Sequence, residues 1–332
     1  MRPVLPVQIS GVGCYLPEQI LDNLELEKMV KTSNEWILQR TGISERHIVA
    51  KGQATSDMAV QAVRKLCEST GLSIDEIEML IVATVTPDMV FPATACLVQH
   101  KLGIPQTWGF DLSGACCGFV YALSVGASFV ASGVHSKVVV VGADTMSSIT
   151  DYQDRATCVL FGDAAGAVLL EPAKDEDNAI LGYYHEVDGS GGPALQMPAG
   201  GSLMPPSCET VKNRLHYVKQ DGQTVFRFAV RKMEEASRRI LERNHFRAQD
   251  VVLMIPHQAN ARIIRSTAER LGLRPDQYIL NLAKYGNTTA ATIPLAMRDA
   301  VNSRQVNKGD LVLLISVGAG FTVGSALLRW AY

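Results

Sequence analysis

Residues 110–118 read FDLSGACCG, and the change of character along that stretch decides the fold. It begins as the end of a short apolar strand, passes Ser113 and Gly114, and delivers two cysteines onto the almost wholly apolar, helix-length segment 118–132. A strand feeding a buried helix through a tight turn is a repeating unit of α/β folds. A thiol at the start of such a helix lies among backbone N–H groups without intrahelical partners, whose partial positive charge favours thiolate. Cys116 or Cys117 is therefore a candidate nucleophile. The competing reading makes both small core hydrophobes, a common role of free cysteine.

Outward from this turn, short β-rich apolar runs alternate with amphipathic stretches: MLIVATV at 79–85, VVVVGAD at 138–144, VVLMIPH at 251–257 and LVLLISVG at 311–318. The alternation predicts buried parallel strands separated by helices. The charged segment EPAKDEDN, 171–178, reads as a surface connection and divides the chain into halves at 1–172 and 173–332. Features of the first half recur in order about 170 residues later, as an internal duplication requires. IDEIEMLIVAT (74–84) matches AQDVVLMIPH (248–257), KLGI (101–104) matches RLGL (270–273), and SKVVVVGAD (136–144) matches GDLVLLISVGAG (309–320). In that register Cys116 falls opposite Asn287, and His257 sits at the C-terminal end of a strand, the edge where ligands of α/β sheets collect. The Gly- and Pro-rich segment 188–208 has no periodicity; it is read as a loop that either covers a ligand or lies idle on the surface.

The 332 residues are 47% apolar, enough to bury a large core, and 31 Lys plus Arg balance 33 Asp plus Glu. No global field draws nucleic acid or an anionic membrane, so neither is an expected partner, and a charged partner must meet a local patch. Seven cysteines without CxxC spacing or paired histidines exclude a zinc framework, and no metal is expected. A reducing cytoplasm is the expected compartment. The opening MRPVLPVQIS lacks a signal-peptide apolar run, and no window reaches the roughly 18 apolar residues of a membrane span.

A cysteine nucleophile requires a destination for its proton and donors for the oxyanion it creates. His257, emerging from an apolar strand in IPHQAN, and Asn287, in KYGNTTAATIP, are the candidates. Taken singly, the first reads as a satisfied structural histidine and the second as a turn or cap residue. Cys, His and neutral Asn suit a papain-like hydrolase as well as an acyl-transferring enzyme. A nearly all-apolar helix behind the cysteine favours a deep acyl channel over an open peptidase cleft.

Seven stretches carry a family resemblance: TSNEWILQRTGISERHI (32–48), FPATAC (91–96), GACCGF (114–119), DRATCVLFGDAAGA (154–167), HQAN (257–260), GNTTAATIP (286–294) and GAGFTVGSAL (318–327). With them the chain resembles, nearly end to end, a β-ketoacyl-[acyl carrier protein] synthase III of the thiolase superfamily. The resemblance implies a five-layered α-β-α-β-α fold built from two duplicated halves, a homodimer, and a ping-pong decarboxylative Claisen condensation that initiates fatty acid synthesis. It makes Cys116 the acylated nucleophile, with Cys117 where a small residue is usual. It gives His257 and Asn287 the enolate oxygen to hold, and the backbone N–H groups of Cys116 and Ala319 the acyl-transfer oxyanion. No cofactor is implied, coenzyme A being carried in as the substrate thioester.

By the same resemblance Trp36 and Arg155 sandwich the adenine of coenzyme A, while Thr32, Arg40, Gly222 and Asn260 line its tunnel. Phe91 closes the acyl pocket of the other subunit, and Met146 and Val317 border it, Val317 standing where some members carry a larger Phe. Arg227, Arg262, Arg265 and Arg270 would receive the acidic carrier protein, with Glu269 beside them in place of a second cation. Partners are thus an acyl-CoA, malonyl-[acyl carrier protein] and a second copy of the chain. Within the fold the alternative is a priming or acyl-transfer enzyme of a polyketide or quinolone-type pathway. Outside it stand a thioester hydrolase and a non-catalytic coenzyme A scaffold.

Overall fold

The computed structural model describes residues 4–332. The first half comprises β1 (Val7–Tyr15), β2 (Gln19–Asp22), α1 (Asn23–Met29), α2 (Asn34–Thr41), β3 (Glu45–Ile48), α3 (Thr55–Thr70), β4 (Met79–Ala83), α4 (Thr94–Leu102), β5 (Trp108–Leu112), α5 (Gly118–Ala131), β6 (Val138–Asp144) and β7 (Ala164–Pro172). The second comprises β8 (Ile180–Val187), β9 (Leu195–Gln196), α6 (Cys208–Lys212), β10 (Lys219–Gln220), α7 (Gly222–Arg243), β11 (Leu253–Pro256), α8 (Ala261–Leu271), α9 (Leu282–Tyr285), α10 (Thr292–Asn302), β12 (Leu311–Gly318) and β13 (Thr322–Arg329).

Beside the two-stranded pairs β2-β3 and β9-β10, two large sheets form, ordered β1-β7-β6-β4-β5 and β8-β13-β12-β11. They have the same plan, because Tyr278 bridges parallel to Met254 where a fifth strand of the second sheet would lie. The sheets are mixed rather than parallel throughout. β4 runs parallel to β5 and β6, and β11 to β12, whereas β7 and β13 are antiparallel to both their neighbours. Only three residues separate β12 from β13, and a parallel return needs a crossover of a dozen or more.

α3 and α4 cover the outer face of the first sheet, α7 and α8 that of the second, and α5 and α10 lie between the sheets. The result is the five-layered thiolase-like architecture. α5 is apolar on nearly every side because it touches both sheets; Phe119, Val120 and Leu123 lie in one core cluster with residues of β4, β6, β12 and β13. The buried strands β4, β6 and β12 are correspondingly continuous apolar runs.

The internal repeat is three residues out of the register expected from sequence. Ala115 and Thr289 share a left-handed φ of 49°, each opens a single 3-10 turn, and each turn runs into a helix, α5 or α10. Ala115 therefore corresponds to Thr289, and Cys116 to Ala290 rather than Asn287. The strands repeat at that spacing: Met79 pairs with Val138 as Leu253 pairs with Val312. The helix-end glycines Gly103 and Gly272 are closer together than the strands are, so an alignment drawn through them slips.

The segment 188–208 is not structureless. It contains a 3-10 helix, Gly189–Ala194, and β9, which pairs with β10. Among the described residues no helix is long and apolar enough to cross a membrane, and no cluster of His, Cys, Asp and Glu is arranged to hold a metal ion.

Candidate active site

After β5 the chain turns through Gly114 and Ala115 into the 3-10 turn Ala115–Cys117, which places Cys116 just ahead of α5. A left-handed alanine costs roughly 1–2 kcal/mol, so something must hold it. The second sheet does. Ser316 Oγ donates to the Cys116 carbonyl at 2.8 Å, and Thr322 Oγ1 donates to the Gly114 carbonyl at 3.1 Å. Gly318, at the end of β12, passes so close that a Cβ there would lie 2.9 Å from the Cys117 nitrogen and 3.0 Å from the Cys116 nitrogen. Glycine is required because the strand end abuts the nucleophile turn.

The two thiols differ in surroundings. Cys117 is fully buried against Gly324 and Tyr121, its Sγ 3.8 Å from the Ser316 carbonyl, so it fills core space. Cys116 lines a cavity. Burial pushes its thiol up to about 12, Asp144 adds to this, and a hydrogen bond from the Asn287 side chain opposes it. The helix start, expected from sequence to favour thiolate, is outweighed by desolvation.

His257 follows β11, its N–H donating to the Ile315 carbonyl at 2.8 Å and so extending the β11–β12 ladder by one bond. Its ring is buried, which lowers its pKa to about 3 and leaves it neutral. Asn287 is fixed by a bridge to Phe161: its N–H donates to the Leu160 carbonyl at 2.8 Å, and its carbonyl accepts from Gly162 at 3.1 Å. Its Oδ1 accepts the Thr289 N–H at 2.9 Å, which leaves the amide nitrogen free to point at Cys116.

Cys116, His257 and Asn287 line one tunnel of about 90 Å³ with Gly222, Val225, Phe226 and Asn260. Cys116 also lines a second, apolar cavity of about 170 Å³ with Met146, Val85, Ile149, Phe161, Leu195 and Val218. Cys116 therefore sits at the junction of a passage lined by His257 and Asn287 and a mostly apolar pocket. Ala319 lines the second cavity beside Cys116.

Other expected site residues divide. Met146 borders the apolar cavity, whereas Val317, expected beside it, lines the tunnel near His257 and Phe321. Side chains alternate along a strand, so with Ser316 turned to the nucleophile, Val317 faces the α7 side, in the cluster of Met233 and Phe321. Phe91 is 82% exposed and lines neither cavity of its own chain.

Gly222 and Asn260 line the tunnel, whereas Thr32, Trp36, Arg40 and Arg155 lie outside its wall. Asn260 is already engaged: Oδ1 caps α8 through the Arg262 N–H, and Nδ2 donates to the Arg40 carbonyl at 2.9 Å. The Arg155 guanidinium lies directly on the Trp36 ring, 4.7 Å from its centroid, and donates to the Lys31 carbonyl at 3.3 Å. A base between them needs two contacts, roughly 7–8 Å in all, so the expected sandwich requires Arg155 to move off the ring. The neighbouring Thr32 hydroxyl is buried without a hydrogen-bond partner.

Arg227 on α7 and Arg262, Arg265 and Arg270 on α8 are all exposed. Arg270 is committed to Glu234 at 3.2 Å, while the other three make no ion pair among the described residues. Arg262 packs over Phe226, a residue of the tunnel wall.

Asp144 is the buried carboxyl beside the site that sequence reasoning passed over. Fully buried at the end of β6, it accepts through Oδ1 from the Thr84 hydroxyl, the Val85 N–H and both N–H and hydroxyl of Thr86. Its Oδ2 accepts from the Thr289 hydroxyl and, at 3.2 Å, from the Ala290 N–H. Burial raises its pKa against these donors. One carboxyl group thus ties the wall of the apolar cavity to the Asn287 turn, and the polar end of VVVVGAD was its sequence signal.

A buried cysteine, histidine and asparagine meeting between two sheets of like topology define a thiolase-like condensing enzyme. Residues 110–189 match the model of 3-oxoacyl-[acyl-carrier-protein] synthase III and residues 241–330 that of its C-terminal part. The chain is 54% identical over 333 aligned residues, 100% of both chains, to β-ketoacyl-[acyl-carrier-protein] synthase III of Koribacter versatilis (strain Ellin345). The crystal structure of 3-oxoacyl-[acyl-carrier-protein] synthase III from Aquifex aeolicus VF5 superposes with a TM-score of 0.90 at 42% identity, covering 98% of this chain and 100% of that one. The priming β-ketosynthase of the R1128 polyketide biosynthetic pathway superposes with a TM-score of 0.92 at 32% identity, covering 100% and 98%. The chain belongs to the β-ketoacyl-[acyl-carrier-protein] synthase III family, whose members are acyltransferases of the condensing type.

Proposed function

We propose that this chain condenses an acyl-CoA primer with malonyl-[acyl carrier protein] to give 3-oxoacyl-[acyl carrier protein], carbon dioxide and coenzyme A, the first carbon–carbon bond of fatty acid synthesis. The observation that carries the reading is the junction at Cys116 of a tunnel bearing His257 and Asn287 with an apolar cavity. In the first half-reaction Cys116 Sγ bonds the primer carbonyl carbon, the carbon–sulfur bond to coenzyme A breaks, and the thiol proton leaves with that sulfur. The backbone N–H groups of Cys116 and Ala319 hold the oxyanion. In the second, malonyl thioester loses carbon dioxide, the resulting enolate forms a carbon–carbon bond to the acyl-cysteine carbonyl, and the carbon–sulfur bond breaks to expel the Cys116 thiolate, which takes one proton from solvent to restore the thiol. His257 Nε2 and the Asn287 amide donate to the enolate oxygen; one such pre-aimed donor contributes about 2.7–4 kcal/mol.

The test separates the two half-reactions. His257→Ala and Asn287→Ala keep acyl-enzyme formation, seen by intact mass, and lose condensation by on the order of 10²–10³-fold. Wild-type enzyme that forms no 3-oxoacyl product with any malonyl donor would sink the reading. The likeness to a polyketide priming synthase supports a second reading, in which the same chemistry starts a polyketide or quinolone-type chain. Primer preference among acetyl, branched and longer acyl-CoA decides between them. Thioester hydrolysis is disfavoured, since an imidazole held at about 3 is a poor base for water.

Coenzyme A is taken to enter by Gly222 and Asn260, with Thr32, Trp36, Arg40 and Arg155 at the outer end. Arg227, Arg262 and Arg265 receive the acidic carrier protein, and Arg270 joins only by giving up Glu234. The working unit is taken as a homodimer: Val90 is 87% and Phe91 82% exposed, and β5 is an uncovered sheet edge beside the half-exposed Trp108. In that dimer Phe91 closes the partner's acyl cavity. Seven free cysteines are in keeping with the reducing cytoplasm.

A further inference from the structure

His257 has a partner that no role above uses. Its Nδ1 lies 2.7 Å from the hydroxyl of Thr292, the first residue of α10. That hydroxyl also lies 3.0 Å from the Thr289 carbonyl, which already accepts the backbone N–H of Thr292. The hydroxyl proton can go to the Thr289 carbonyl, which already has a donor, or to Nδ1, whose role as donor or acceptor depends on the tautomer. His257 is 4% and Thr292 2% exposed, so the pair lies inside the protein. A neutral imidazole carries a single N–H, and the group bonded to Nδ1 decides which nitrogen holds it.

We propose that Thr292 is a positioning residue: its hydroxyl donates to His257 Nδ1, fixes the Nε2–H tautomer and so aims an N–H into the tunnel at the enolate oxygen. This rests on the functional reading above, in which Nε2 is a donor. It also gives the turn 289–292 a single purpose. The Thr289 N–H takes Asn287 Oδ1 and frees the amide nitrogen as donor; three residues on, the Thr292 hydroxyl does the same for the imidazole. Burial supports the assignment by holding the ring neutral, because an imidazolium would carry both N–H groups whatever Thr292 did.

The test compares Thr292→Val, which keeps the shape and loses the hydroxyl, with Thr292→Ser, which keeps the hydroxyl. Protein labelled with ¹⁵N-histidine, its His257 signals identified through His257→Gln, reports the tautomer by NMR without any substrate. Wild type and Thr292→Ser are expected to show Nε2–H, and Thr292→Val a mixture or Nδ1–H. In kinetics, Thr292→Val is expected to lower kcat for condensation by on the order of 10–100-fold, with Thr292→Ser restoring it. The KM for malonyl-[acyl carrier protein] should stay within about twofold, and single-turnover acylation of Cys116 should be unchanged. An unaltered tautomer in Thr292→Val, or equal losses in acylation and condensation, would overturn the proposal. Thr292→Ala gives the same comparison should the valine variant fail to fold. If wild type makes no condensation product, the functional reading falls while the tautomer measurement still decides the role of Thr292.

Discussion

Cys116 and His257 meet as neutral partners. Burial pushes the thiol up to about 12 and the imidazole down to about 3, so a resting thiolate–imidazolium pair of the papain kind is disfavoured. In the proposed reaction, donors rather than a resting ion pair meet the developing charge, from the backbone N–H groups near α5 and the two side chains of the tunnel. A pH dependence follows with a definite sign. A thiol with a raised pKa is protonated at neutral pH, so its thiolate fraction grows about tenfold for each pH unit below that pKa. Alkylation of Cys116 by iodoacetamide is therefore predicted to keep rising from pH 6 to about 9. A rate that levels off below pH 7 would reveal an ion pair and contradict this account.

At the scale of elements, the site depends on β12 gripping a turn that belongs to the other half. Gly318→Ala puts a Cβ within 3.0 Å of two backbone nitrogens and must displace the Cys116 turn or the strand end. Ser316→Ala leaves the buried Cys116 carbonyl without its 2.8 Å donor, a loss of about 1–3 kcal/mol. Both variants should acylate more slowly in single turnover, Gly318→Ala the more severely; normal acylation in Gly318→Ala would show that the contact does not position the thiol. The strand-to-helix turn was legible in FDLSGACCG because apolar run, small residues and apolar helix follow in one short window. The repeat was legible in outline, but its register was not, since connections of unequal length leave apolar strands as the only guide. The inward and outward faces at the end of β12 were equally hidden: ISVG is a continuous buried run, and nothing in such a run says that Ser316 meets the nucleophile while Val317 meets the tunnel.

At the scale of the molecule, two like sheets bring Cys116 of one half to a tunnel shared with His257 and Asn287 of the other, and Asp144 joins the two across the middle layer. The outer mouth is built differently, by stacking side chains rather than fixed strands. Arg155 lying on Trp36 is an arrangement no sequence pattern displays, because it depends on rotamers and not on spacing. Arg155→Ala is predicted to raise KM for acyl-CoA several-fold while leaving acylation by a short thioester without the nucleotide unaffected, as measured by initial rates with the two donors. Equal effects on both would place Arg155 in the structure of the mouth and not in nucleotide recognition.

The most direct measurement is intact mass after incubation with an acyl-CoA primer, for wild type, Cys116→Ala and Cys117→Ala. One acyl group is predicted on wild type and on Cys117→Ala, mapping to Cys116 after digestion, and none on Cys116→Ala. An acyl group retained by Cys116→Ala would contradict the account.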